Sequence, residues 1–228
     1  MHPHLAPAFR RLKTSLFTLS AAVEDNLHLA VKAVLGGDSS LIEQIRARDL
    51  EIDLMEVDFE EDCLKILALY QPVAMDLRFV VAVLKINNDL ERIGDLAVNI
   101  AENAATFPGK DQVEAARTLP HMADLAQAML KKSLDAVVNL DTQLAREVLA
   151  ADNEVDACHR ELTSKLRREI GENGTRTDEL LPLMYVSKHI ERIADLATNI
   201  AEDAIYMVDG EIVRHRGNQS AQEPDVGD

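Results

Sequence analysis

The chain has 228 residues, of which 47% are hydrophobic and 4% aromatic, with no Trp, nine Gly and seven Pro. That supplies enough apolar material for a packed core and, with helix formers abundant and breakers few, it favours an all-helical protein. A net charge of −16 excludes a nucleic-acid binder, which needs a basic footprint to neutralise phosphates; it suits basic protein partners and divalent cations.

The opening MHPHLAPAFRRLKTSLFTL lacks the sustained apolar run and cleavage site of a signal peptide. No stretch of the chain approaches the roughly 20 apolar residues of a membrane span. A cytoplasmic protein is expected, touching a membrane at most peripherally and through a partner. His2 and His4 form only a loose H-x-H in an unstructured start. From there apolar residues recur at helical spacing, interrupted at a few clear breaks. Gly36-Gly37-Asp38 ends a first long helix, and Ser40-Leu41-Ile42-Glu43 offers a capping box for a second. Gln71-Pro72 marks the start of a third, and Phe107–Asp111 reads as a linker. Helices are then expected around 112–139 and 142–170, with a turn near Asp141 and a loop from Gly171 to Thr177. A last helix runs from about Asp178 to Met207, with Pro182 either in its first turn or at a kink. Cys63 and Cys158 fall inside helices and read as reduced core thiols.

The chain repeats itself. ERIGDLAVNIAENA, from Glu91, and ERIADLATNIAEDA, from Glu191, are identical at eleven of fourteen positions, at an offset of 100. Earlier helices match at an offset of 103, pairing Asp38 with Asp141, Asp49 with Asp152 and Asp53 with Asp156. Each half is therefore helix–helix–helix. The fold expected is all-α: two tandem three-helix bundles, residues 1–108 and 109–212, elongated because a 30-residue helix is about 45 Å long. An acidic tail, 213–228, is expected to be disordered.

The polar residues kept in both copies need a reason of their own. Glu91, Asp95, Asn99 and Glu102 fall within an arc of about 80° on their helix, which Asn88 joins. Ile86, Leu90, Ile93, Ala97 and Ile100 cover the opposite, core-facing side. Glu191, Asp195, Asn199 and Glu202 repeat the polar pattern. The second helix of the first half adds a stripe of Asp49, Asp53, Glu56 and Glu60; its counterpart carries Asp152, Asp156 and His159, with Thr163 below. So many facing carboxylates need compensation. Metal ions would supply it: hard oxygens suit Mg, Ca, Mn or Fe, and His159 makes the second cluster slightly softer. The other reading is a pair of solvated acidic faces with Arg92 and Arg192 as charge partners. His189, which replaces Asp89, reads as a boundary residue. The sequence contains no Gly-rich phosphate loop, no nucleophile–base arrangement, no zinc-type Cys/His spacing and no Glu-x-x-His pair of a di-iron oxidase.

The segment QPVAMDLRFVVAVLKINNDLERIGDLAVNIAE, Gln71–Glu102, resembles the signature of the PhoU family of phosphate-uptake regulators. KHIERIADLATNIAEDAIYMVDGEIVRH resembles that family's C-terminal signature. The likeness covers roughly residues 5–215. It implies metal clusters at motifs of the form E/D-x-x-x-D, here Glu91/Asp95 and Glu191/Asp195, facing Asp49/Asp53 and Asp152/Asp156. The ions expected at the two clusters are divalent or trivalent: Mg, Mn, Fe or Zn. It also implies a non-enzymatic negative regulator, often a homodimer, that links a phosphate ABC transporter and its ATPase subunit to a sensor histidine kinase. One departure stands out: the second half has no counterpart of QPVAMDLR. A relative serving another transporter or stress pathway, a metal-dependent helical-bundle enzyme and a purely structural scaffold stay open as alternatives.

Overall fold

The computed structural model describes residues 5–105, 114–172 and 174–211. The expected linker at 107–111, the 108/109 domain boundary, the tail at 213–228 and His2 and His4 lie outside those residues. Among the described residues every regular element is helical: α1 (Leu5–Gly36), α2 (Ile42–Tyr70), α3 (Ala74–Glu102), α4 (Leu119–Asn139), α5 (Thr142–Glu172) and α6 (Thr177–Asp209), with short 3-10 turns between α1 and α2, α3 and α4, and α5 and α6. Helices α1, α2 and α3 pack on one another, as do α4, α5 and α6, giving two three-helix bundles in tandem. The bundles meet along two seams, α3 against α6 and α1 against α4.

Periodicity decides which faces go inward. Ile86, Leu90, Ile93, Ala97 and Ile100 are all fully buried, and so are Ile193, Ala197 and Ile200 in the other half. Their spacing of three and four residues lines one side of each helix, which is the stripe that packs a bundle. Cys63 and Cys158 are buried free thiols, and burial pushes the Cys63 thiol up to about 12, so it stays protonated and unreactive. No helix among the described residues is long and apolar enough to cross a membrane.

Several helix ends differ from the sequence expectation. Ser40 and Glu43 do not form a capping box. Instead Asp38 accepts from the Ser40 backbone N–H at 3.0 Å, a 3-10 turn spans Ser39–Leu41, and Glu43 pairs with Arg46. The counterpart Asp141 caps α5 in a similar way, accepting from Gln143 N and Leu144 N at 3.0 Å each. A short Asp side chain at this position satisfies the free N–H groups directly, which makes the Ser hydroxyl redundant. Helix α4 starts at Leu119 rather than near 112, behind a 3-10 turn over Glu114–Thr118. Pro120 accounts for this: its fixed φ and missing N–H suit the first helical turn. Helix α5 extends to Glu172 and α6 begins at Thr177, so little of the expected 171–177 loop is left. Pro182 lies inside α6, past its first turn.

Candidate functional site

The acidic stripe of α2 faces α3 as the spacing predicted. Asp49 is half-buried, and desolvation followed by the charges of Asp53, Asp95 and Glu91 pushes its carboxyl up to about 6. Its Oδ1 is buried and has no hydrogen-bond partner. The space for it comes from Gly94: a Cβ there would stand 2.8 Å from Asp49 Oδ1. Glu91 is also pushed up, first by desolvation and then by Asp95, Asp53 and Glu56. Glu56 is held from α3 by Asn87, whose Nδ2 donates to its Oε1 at 2.9 Å and to its backbone carbonyl at 3.1 Å. Asn87 is the buried member of the Asn pair, while Asn88 is exposed.

The second half builds a similar cluster with different details. Asp152 is pushed up by desolvation, then by Asp156 and Glu191. Asp195 rises to about 6 through desolvation, Glu191, Asp152 and Asp156, with Lys188 acting in the opposite direction. Here cations already intrude: Lys188 pairs with Glu191, and Arg160 with Asp156 at 3.1 Å. His159, at the place of Glu56, shares a 2.7 Å hydrogen bond through Nδ1 with Ser187 Oγ, and burial pushes its imidazole pKa down. In each cluster the raised titration belongs to the set of facing carboxylates and not to one side chain.

The expected ligands do not all converge. Asp49, Asp53, Glu91 and Asp95 come together, and so do Asp152, Asp156, Glu191 and Asp195. Glu102 is instead bound by Arg46 at 2.7 Å, and Glu202 is half-buried on α6 with an interaction of its own. Asn99 and Asn199 point into a cleft of about 440 Å³ between α3 and α6, lined by Arg92, Asp95 and Leu96 and by their copies Arg192, Asp195 and Leu196. Arg92 lies 3.7 Å from Asp89, and Arg192 makes no ion pair among the described residues. Also among the described residues, no three His, Cys, Asp or Glu side chains are already gathered as a metal-holding group. The donor set nevertheless fits a hard cation in kind, with oxygen ligands, an orphaned buried carboxylate oxygen and a surplus of like charge.

Three elements of this region escaped the sequence reading. Gly94 is one of the three differences between the fourteen-residue copies, with Ala194 as its counterpart, and that difference was the available signal. Asn87 sits at a core-facing position beside the Asn88 that the polar arc picked out. The Lys85 Nζ–Asp203 Oδ1 pair, at 3.1 Å with Asp203 buried, joins α3 to α6; Asp203 stands opposite Asn103, another of the three differences between the copies, while Lys85 stands opposite Tyr185 and gave no such signal.

The PhoU domain model matches residues 16–104 and 119–204, one match on each bundle. The chain belongs to the PhoU family. It is 35% identical over 204 residues to the phosphate-specific transport system accessory protein PhoU homolog of Aquifex aeolicus, a match covering 90% of this chain and 92% of that one. To the accessory protein PhoU of Serratia marcescens it is 30% identical over 226 residues, covering 97% and 93%. The crystal structure of PhoU from Pseudomonas aeruginosa superposes with a TM-score of 0.85 at 32% identity, over 90% of this chain and 99% of that chain. In this PhoU-family chain the two acidic clusters are one feature written twice, each between the second and third helices of a bundle.

Proposed function

We propose that this chain is a non-enzymatic accessory regulator of phosphate transport, an adaptor that restrains a phosphate ABC transporter and biases a sensor histidine kinase toward its phosphatase state when phosphate is plentiful. The observation that carries the reading is the full-length likeness to relatives named as phosphate-specific transport accessory proteins, at 35% identity over 90% of this chain. The helical surface supports an adaptor: among the described residues its chemistry-bearing groups are carboxylates and arginines on rigid helices, and the Ser187 hydroxyl that His159 contacts is fully buried, away from any substrate. Deletion of the gene is expected to raise expression of the transporter and of phosphatase in phosphate-rich medium; unchanged expression would reject the regulatory role.

Within that role the two clusters bind divalent or trivalent cations. Asp49, Asp53, Glu91 and Asp95 would hold ions in the first bundle, and Asp152, Asp156, Glu191 and Asp195 in the second. The bound cation supplies positive charge that relieves carboxylate repulsion and locks α2 to α3 and α5 to α6. The orphaned Asp49 Oδ1 supports this reading. Titration of the purified protein with Mn, Fe, Mg and Zn should show saturable binding that Asp95→Ala with Asp195→Ala abolishes; equal stoichiometry in that variant would remove the assignment. The protein is expected to act in the cytoplasm as a homodimer, which light scattering of the native protein checks.

A further inference from the structure

Helix α2 carries a second apolar stripe, on the side away from its core. Leu50, Leu54, Val57 and Leu64 are 51–68% exposed, and steps of four, three and seven residues keep them on one side of the helix in a seven-residue repeat. Eight of the thirteen large apolar side chains exposed among the described residues lie between Leu50 and Leu77, so this is a patch and not scattered background. The duplication provides an internal control. At the same places on α5, offset by 103, the chain has Asn153, Ala157, Arg160 and Arg167. The second helix of a bundle therefore folds without this stripe, and its presence on α2 needs another cause.

Charge selects the occupant. From Asp49 to Leu64, α2 has eight carboxylates and no Lys or Arg. Asp53 and Glu60 run along one edge of the stripe and Glu51 and Asp58 along the other, while Glu61 stands within it and, with Asp62, pairs with Lys65 just beyond the segment. A second copy of α2, parallel or antiparallel, would set these acids against themselves, and an anionic lipid surface would meet the same repulsion. A helix with leucine-like residues at the facing positions and Lys or Arg beside them satisfies both the apolar stripe and its acidic edges. We propose that the outer face of α2 is the docking site for a basic amphipathic helix of a partner protein, packed against it as in a coiled coil. The inference depends neither on cation binding nor on the phosphate role, although Asp53 belongs to both acid sets, and its test leaves both aside.

The test uses the full chain in chelator-containing buffer. The probe is a fluorescent synthetic helix of about three heptads, with Leu at the facing positions and Lys at the flanks; a second peptide has Glu at the flanks. Wild-type protein is expected to bind the Lys peptide and not the Glu peptide. The charge-preserving variant Leu50→Ser/Leu54→Ser/Val57→Ser should weaken binding at least about tenfold, while Phe17→Ser, an equally exposed change on α1, leaves it intact. Leu54→Ser alone, expected to cost about threefold, serves if the triple variant fails to fold. Equal binding of the Lys peptide by wild type and seam variants overturns the proposal. So does a wild-type dimer that the seam variants dissociate, or binding to phosphatidylserine vesicles that they abolish.

Discussion

The two bundles share a backbone plan but use it differently. In the first, Gly94 lets Asp49 press against α3, and an Asn–Glu pair, Asn87 with Glu56, ties the helices together. In the second, Ala194 stands in that place, and Ser187 with His159 replaces the Asn–Glu pair. Lys188 and Arg160 temper the second cluster's charge, while no Lys or Arg pairs with Asp49, Asp53, Glu91 or Asp95 among the described residues. The first bundle also keeps an apolar outer stripe where the second is polar. Duplication thus fixed the core and the acidic pairs, and the halves then separated in the cations beside the acids and in the residues on their outer faces.

The strongest way to break this comparison is to ask whether the halves are energetically separate. Phe59, fully buried in the first bundle, is expected to cost about 3–5 kcal/mol as Phe59→Ala. Because α3–α6 and α1–α4 contacts join the bundles, urea unfolding should remain one transition moved to lower denaturant. Two transitions, with only one moved, would show independent bundles. A smaller effect tests the joint itself. Lys85→Met takes the 3.1 Å ion pair from the buried Asp203 carboxylate, and also the ammonium lying 5.3 Å from the Tyr206 ring centroid. Roughly 2 kcal/mol should be lost, with Lys85→Arg retaining most of it; a neutral Lys85→Met would mean this ion pair does not hold the joint.

Most of this architecture was legible in the residues because packing leaves a periodic trace. Ile86, Leu90, Ile93, Ala97 and Ile100 announced their buried face by spacing alone, and the repeat announced a second bundle. The pairing of Asp49 with Asp95 across α2 and α3 followed from two stripes of equal period. Legibility failed where the outcome depends on a partner far along the chain. Glu102 shares the arc of Glu91 and Asp95, yet Arg46 takes it. Asn99 shares it too, yet it faces α6, because one helix arc of about 80° can border two neighbours in a bundle pair. Helix ends failed for a local reason: Asp38 and Ser40 compete for the same N–H groups, and only geometry shows which wins.

Proton uptake gives the next, smaller test. The Asp49 carboxyl sits at about 6 in the folded protein against an ordinary 3.8, so the folded state binds more protons than the unfolded chain between those values. Stability from this group is therefore full below about pH 3.8 and is lost as pH rises toward 6. Asp49→Asn should flatten that slope and stabilise the metal-free protein at pH 7 by about 1 kcal/mol, a figure reduced for the carboxylate's partial exposure. Asp195→Asn should act in the same sense. Cation at pH 7 should raise the wild-type Tm, and raise it less at pH 5, where protons compete for the same oxygens. A wild-type pH slope that survives both Asn substitutions would place the titration elsewhere.

The subtlest change exchanges the one small residue that separates the clusters. Gly94→Ala brings a Cβ to 2.8 Å from Asp49 Oδ1, an atom at the end of a side chain that can rotate away. The helix gains about 1 kcal/mol in propensity from losing a glycine, and displacing the carboxylate takes back part of it, so stability should move by less than about 1 kcal/mol. The informative signal is elsewhere. With Oδ1 expelled toward water, the Asp49 carboxyl should fall from about 6 toward 3.8, read by NMR titration, and cation affinity at the first cluster should fall with it. The reverse change, Ala194→Gly, should cost about 1 kcal/mol of helix stability and let Asp152 settle deeper, moving its carboxyl further up. If Gly94→Ala leaves Asp49 titrating near 6, facing charge rather than the glycine's missing side chain sets that carboxyl, and the bundles differ less than their surfaces suggest.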